Sequence, residues 1–408
     1  MKKKPVHTSG NERLRVLRIA HASLTPALRQ RERAFARRYP EVQFELVTTS
    51  RWREAEVDVD AVADDLFPVT KARPRLSNHI QLFAYTPKPI VDVLRRFRPQ
   101  VIDLNHEPYS VACTEVMTLC NRYAPEAAII LQACQNIYKN YPPPFNWFEW
   151  WAMKRATAAH VCSETVREVL RAKGFTKPVA IVPFGVDTQA FAPRATGVRN
   201  DGTPTIGFVG RMLPGKGLNI LAEALAMLSS EEWNLLLVGD GPERASFEKT
   251  LGDRGLLARA RFAGAISYDR VPKLYHEIDT LVMPTETTDR IREQFGRVLV
   301  EAMASGVPVI GSTCGAIPEV IGDAGLVFPE RDAGALAVAI KRMFSDLALR
   351  ERLAKLGRSR VEQNYSWEVI AGKTFEFFEQ VLRGSGAMGA DARVSDALRL
   401  NRGESAAA

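Results

Sequence analysis

Short β-branched or leucine-rich runs alternate along the chain with longer segments whose apolar residues recur every three to four positions. That alternation predicts βα units, hence parallel sheets with helices on both faces. In the first half the strand candidates are RVLRIA (15–20), FELVTT (44–49), VIDL (101–104), AAIIL (127–131), HVC (160–162) and VAIVP (179–183). In the second half they are IGFVG (206–210), NLLLVG (234–239), RFAG (261–264), DTLVMP (279–284), VPVIG (307–311) and GLVF (325–328).

Between the two series lies FGVDTQAFAPRATGVRNDGTP (184–204), rich in Gly, Pro, Asp and Thr, which reads as a linker. The expected fold class is α/β, with two doubly wound Rossmann-like domains facing each other across a cleft. Expected boundaries are 1–190 for the amino-terminal domain and 191–383 for the carboxy-terminal one. A last helix over about 366–383 keeps Trp367, Ile370, Ala371, Phe378, Val381 and Leu382 on one face, interrupted by Thr374, and is free to cross back to the first domain. Residues 384–408 lose the apolar period and are expected to be disordered.

Composition is ordinary for a globular chain, 408 residues with 46% hydrophobic and 25% charged. No apolar run approaches a membrane span, and the start MKKKPVHTSGNERL lacks the apolar core of a signal peptide, so a cytoplasmic location is expected. The five cysteines include no CxxC pair and the six histidines no HExxH, which predicts buried thiols and no metal site.

The net charge of +8 is concentrated near the start, where residues 1–55 hold 13 Lys and Arg against 5 Asp and Glu. Arg29, Arg33 and Arg37 recur every four residues after Pro26 and would share one helix face. Such a face is either plainly solvated or turned to an anionic substrate or an anionic membrane surface. Nucleic acid is not expected, since no basic strand interleaved with aromatics or recognition helix accompanies it.

GRMLPGKG (210–217) completes the GxxxxGK of a P-loop but puts Gly217 where a Ser or Thr would hold magnesium, and Pro214 removes a backbone N–H. A glycine turn after a strand, a helix start near Leu218 and the cations Arg211 and Lys216 remain, a set that can grip a diphosphate without a metal. In EQFGRVLVEAMASGVPVI (293–310), Glu293 precedes a helix expected from Gly296 to Ser305 and Glu301 lies inside it. Carboxylates beside an anion-binding helix end make sense as hydroxyl acceptors for a ribose and a sugar.

Taken in order, GRMLPGKG, LLLVGDGPER, the Glu293–Glu301 segment, GAIPEVI and GLVF closely resemble the nucleotide-sugar domain of family 4 glycosyltransferases of the GT-B fold. VPFGVDTQAFAP (182–193) and HEP (106–108) are similar to that family's linker approach and amino-terminal active-site turn. The resemblance implies transfer of a sugar from a nucleoside diphosphate sugar to a carbohydrate, lipid-linked or small-molecule acceptor, with retention of anomeric configuration and no cofactor. It leaves covalent and front-face routes both open.

By the same resemblance, Gly210, Arg211 and Lys216 would bind the donor phosphates, and Glu301 the ribose. Glu293, Phe295, Gly296 and His106 would bind the donor sugar, Glu293 and His106 catalytically, with Glu107 a weaker candidate. A departure is IAHASLTPALRQRE (19–32), which has no glycine where many relatives carry a glycine-rich loop; Arg29 or His21 would supply part of that contact instead. An inactive nucleotide-sugar-binding scaffold and a GT-B epimerase or phosphorylase are the alternatives.

Two further stretches stand out. DVD (58–60) lies in an acidic run without a strand pattern and reads as solvated loop. The segment 136–156 concentrates Tyr138, Tyr141, Phe145, Trp147, Phe148, Trp150 and Trp151, which fits an acceptor platform, a membrane-interface contact or aromatic packing.

Overall fold

The structure is a computed structural model and describes residues 13–54, 57–76, 79–195, 197–198 and 202–384. The predicted tail lies outside the described residues. Strands in the first half form one parallel sheet of seven, in the order Val179–Ile181, Ala158–Val161, Ala128–Ala133, Val101–Asn105, Arg15–Ala20, Gln43–Thr49, Val69–Ala72. The second half forms a parallel sheet of six, in the order Ala260–Gly264, Asn234–Val238, Thr205–Val209, Thr280–Met283, Val309–Ser312, Gly325–Phe328. Every residue of Ala128–Ala133 and of Thr280–Met283 is buried, as a strand covered by helices on both faces requires.

Each half is thus doubly wound. In the second sheet, strand order reverses between Thr205–Val209 and Thr280–Met283, so the loops leaving these two strands diverge and open a crevice at their carboxyl ends. Residues 210–217 and 284–296 are those loops.

The chain passes between the halves twice. Val186 N–H donates to the Tyr365 carbonyl at 2.8 Å, and Val186 bridges Ser366, so the outgoing and returning segments run side by side. The closing helix, Trp367–Gly384, packs on Gln30–Arg38 of the first domain. Phe375 stacks on Tyr39 with ring centres 4.1 Å apart, and Phe378 lies 5.9 Å from Phe35. Under this pair of helices the sheet carries a buried ionic network. Arg18 donates to Glu32 at 2.6 Å, to Gln132 at 2.9 Å and to Asp103, whose other oxygen meets His160 Nε2 at 2.9 Å. Desolvation would raise the Asp103 carboxyl, but Arg18 and His160 hold it well below its usual range.

Two expectations are corrected. Arg29 is not on a solvated helix face: it ends the 3-10 turn Pro26–Arg29, is fully buried, and donates to the carbonyls of Ser23 (2.9 Å), Leu24 (2.7 Å) and Val62 (2.8 Å). Arg33 is spent on Asp64 at 2.6 Å and Asp65 at 2.5 Å, which leaves Arg37 as the exposed member of the trio. Five donors on one guanidinium can satisfy a cluster of loop carbonyls, and that need outweighs hydration. Asp58 and Asp60 sit on a strand, Val57–Asp60, paired antiparallel with Arg51–Glu54, where Arg51 clamps Asp60 at 2.6 Å. The alternation in RWR and VDVD is that of a strand pair, with Trp52 inward and Arg51, Arg53, Asp58 and Asp60 exposed, and the cross-strand ion pair reinforces it.

Candidate active site

The loop after Thr205–Val209 is folded against its neighbours by glycines. A Cβ on Gly239 would stand 2.0 Å from the Gly210 carbonyl oxygen, and one on Gly241 2.4 Å from that of Met212, so the GDG turn lies directly on the Gly210–Met212 backbone. Gly217 has φ of 73° and caps the helix Leu218–Met227; its Cβ would stand 1.8 Å from the Pro284 carbonyl oxygen. No hydroxyl-bearing residue fits there, which excludes the magnesium arrangement of a P-loop at this position.

Opposite, Gly296, with φ of 87°, caps the helix Arg297–Ala304. Neither helix start carries a side-chain cap, so first-turn N–H groups of both are left for other acceptors. The two starts are tied together by one ion pair, Lys216 Nζ to Glu293 Oε2 at 2.8 Å, with 23% and 14% of the two side chains exposed. Arg211 lies exposed on the same loop.

Glu293 is fixed by its backbone. Its carbonyl accepts from Ala316 N–H at 3.0 Å and from Asn136 Nδ2 of the first domain at 2.8 Å, and a Cβ on Gly315 would collide with it at 2.1 Å. The predicted neighbours Phe295 and Gly296 follow at once, Phe295 buried against Phe184 and Tyr365. Glu301 is buried inside its helix, where Tyr268 donates to Oε1 at 3.2 Å, Tyr275 to Oε2 at 3.1 Å, and Arg297 approaches to 3.8 Å. Burial pushes its carboxyl up from the ordinary value, against the pull of Arg297 and the two hydroxyls. Sequence reasoning missed both tyrosines; Tyr268 sits on a 3-10 turn and Tyr275 ends a five-residue helix, and neither belongs to a long periodic pattern.

His106 follows the strand Val101–Asn105 but is 3% exposed, with Nε2 3.0 Å from the Tyr85 hydroxyl and Nδ1 buried without a partner. His21 stacks on it at 5.3 Å, and burial holds both imidazoles below their ordinary pKa, His21 at about 4. Burial thus favours the neutral form of both rings. Glu107 turns the other way, accepting from Cys134 N–H at 2.8 Å, and burial pushes its carboxyl up to about 7.

Contacts across the cleft are direct: Arg292 Nη1 donates to the Asn136 carbonyl at 3.3 Å, Cys162 Sγ to that of Gln294 at 3.5 Å, and Glu164 N–H to Glu319 Oε2 at 2.9 Å. All five cysteines are free thiols. Among the described residues there is no cluster of three or more His, Cys, Asp or Glu side chains able to hold a metal.

A six-stranded sheet with paired glycine-capped helices at its switch point, facing a second doubly wound sheet, defines a GT-B architecture. Residues 192–360 match the model of group 1 glycosyl transferases and residues 33–190 that of Glycosyltransferase Family 4. The chain is similar to a 2-deoxystreptamine glucosyltransferase of Streptomyces kanamyceticus, 28% identical over 64% of this chain and 69% of that one. It also resembles an MMP alpha-(1->4)-mannosyltransferase of Mycolicibacterium hassiacum, 31% identical over half of this chain and 48% of the relative's length. In fold it matches sucrose-phosphate synthase of Thermosynechococcus elongatus, with a TM-score of 0.67 at 20% identity over 91% of this chain and all of that one. Anabaena HepE, crystallised with UDP, gives 0.66 at 16% over 90% of this chain and all of that one. The chain belongs to family 4 of the glycosyltransferases.

Proposed function

We propose that this protein transfers a glycosyl residue from a nucleoside diphosphate sugar to an acceptor hydroxyl, with retention of anomeric configuration and without a metal ion. The observation that carries the reading is the Lys216–Glu293 pair held between two uncapped helix starts. An ion pair placed there sets a cation beside two uncapped helix starts, which together would favour a bound diphosphate, on which charge grows as the glycosidic bond breaks.

On donor binding Lys216 exchanges Glu293 for phosphate, joined by Arg211, and the Glu293 carboxylate is released to accept from the sugar hydroxyls. Glu301, with Tyr268 and Tyr275 already donating to it, offers its remaining lone pairs to the ribose. The buried, unpartnered Nδ1 of His106 would take a donor-sugar hydroxyl as its partner. The bond from the anomeric carbon to the phosphate oxygen breaks, the acceptor oxygen takes its place on the same face, and the acceptor proton leaves with the phosphate. UDP in HepE and the sugar-transfer names of the curated relatives support this reading.

Purified protein incubated with UDP-, GDP- and ADP-sugars and acceptor extracts tests it, with products resolved by anomeric proton couplings. Lys216→Ala is expected to weaken nucleoside diphosphate binding about 10- to 100-fold, the range of a hydrogen bond to a charged group, and Glu293→Ala to lower turnover at least as far. Both should melt within a few degrees of the parent. Thermal stabilisation by donor without any turnover would replace the enzyme with a binding scaffold, and sugar isomerisation without acceptor would make it an epimerase.

A further inference from the structure

The helix Phe145–Arg155 is apolar on both sides, a pattern usual for a helix that is buried all round. Here only one side is covered. Ala152 is fully buried and Trp151 and Met153 pack on the first-domain core, whereas Trp147 is 64% and Trp150 59% exposed. Trp147, Trp150 and Lys154 fall at i, i+3 and i+7, one stripe on the outer face. Lys154 Nζ lies over the Trp150 ring, 4.8 Å from its centre, and Arg155 is exposed beside it.

Along the segment that carries this stripe the charge has one sign. Between Cys134 and His160 the sole acidic residue is Glu149, and Lys173 neutralises it at 2.7 and 2.8 Å. Lys139, Lys154 and Arg155 remain. On the approach to the helix Tyr138 is 54% exposed. More exposed apolar side chains, Leu76, Ile80 and Leu82, lie on a loop whose Gln81 carbonyl accepts from Val111 N–H, at the start of the helix against which Phe145–Arg155 packs.

We infer that the face formed by Trp147, Trp150, Lys154 and Arg155 docks on an anionic phospholipid surface, with the indoles in the headgroup layer and the cations on lipid phosphates. Exposed tryptophans edged by Lys and Arg suit that layer, whose apolar and charged zones are stacked in the same order. A second copy of the chain is the poorer occupant, because a two-fold contact would set like charges against each other. The Arg29–Arg33–Arg37 face does not serve, since two of its three cations are already spent. The platform is close to the reaction cleft along the chain: Asn136, which holds the Glu293 carbonyl, begins the segment that leads into it.

The test is flotation of the full chain with vesicles of phosphatidylglycerol and phosphatidylcholine in equal parts, against phosphatidylcholine alone, at low and high salt. Binding to the anionic vesicles, weakened by salt, with tryptophan emission quenched by brominated lipid, is expected. Trp147→Ser with Trp150→Ser should reduce partition roughly tenfold or more, and Lys154→Glu with Arg155→Glu comparably, while circular dichroism and melting stay unchanged. Absence of flotation, or flotation that the tryptophan pair does not affect, overturns the inference. So does a concentration-dependent dimer abolished by the same double substitution, which would assign the face to a second copy. No donor is present, so the outcome is independent of the proposed transfer reaction.

Discussion

Gly217 shows how one position separates two ways of holding phosphate. A P-loop needs a hydroxyl there, yet the Pro284 carbonyl oxygen would be 1.8 Å from any Cβ and φ is 73°. The backbone has been brought close to the neighbouring strand's exit loop, and that approach is what sets Lys216 within reach of Glu293. Gly217→Ser, nominally the repair of a P-loop, is therefore expected to destabilise the second domain. Left-handed strain of about 1–3 kcal/mol adds to a backbone collision that only a shift of the loop relieves. Differential scanning calorimetry should show the loss, with no magnesium dependence of nucleotide binding gained in return; an unchanged melt would mean that the loop yields without cost.

Elements differ in how far the sequence announced them. All twelve strands predicted from apolar runs appear; central ones such as Ala128–Ala133 and Thr280–Met283 are buried on both faces, hence apolar throughout, and stand out against amphipathic helices. The edge strand Val69–Ala72 and the paired strands Arg51–Glu54 and Val57–Asp60 were not legible as apolar runs, since each has four residues and carries Lys, Arg or Asp outward. At the site, glycines, cations and glutamates could be read from the motif order, whereas the tyrosines on Glu301 and the burial of His106 depend on contacts between distant segments. Periodicity does show why Trp367–Gly384 holds a foreign surface: its stripe continues past Thr374 to Phe378, which is 1% exposed against Phe35 of the other domain. Phe378→Ala should cost about 3–5 kcal/mol, the usual range for a buried phenylalanine. The loss should fall on the first domain: its calorimetric transition drops while that of the second moves less. Equal losses in both transitions would show that the helix belongs to neither alone.

Taken whole, the molecule joins two rigid sheets by two adjacent crossings and a few polar contacts over the cleft, the architecture of a hinge. Asn136 sits at the centre of those contacts, 1% exposed, donating to the Glu293 carbonyl and accepting from Arg292. Both of its partners lie on the segment that leads to the helix Arg297–Ala304, so under the proposed function closing the domains and positioning Glu293 would be one event. Replacing Asn136 by Ala removes a neutral hydrogen bond and leaves a carbonyl short of a partner, a net effect of about 0.5–1.5 kcal/mol, or roughly two- to tenfold on the ratio of closed to open forms. Small-angle scattering should then show a larger radius of gyration for the variant without ligand. Turnover should fall by a similar factor while nucleoside diphosphate affinity, set within the second domain alone, changes less than about threefold. If affinity and turnover fell together, the loss would lie in the donor pocket itself and the cross-cleft bond would have no separate part in closure.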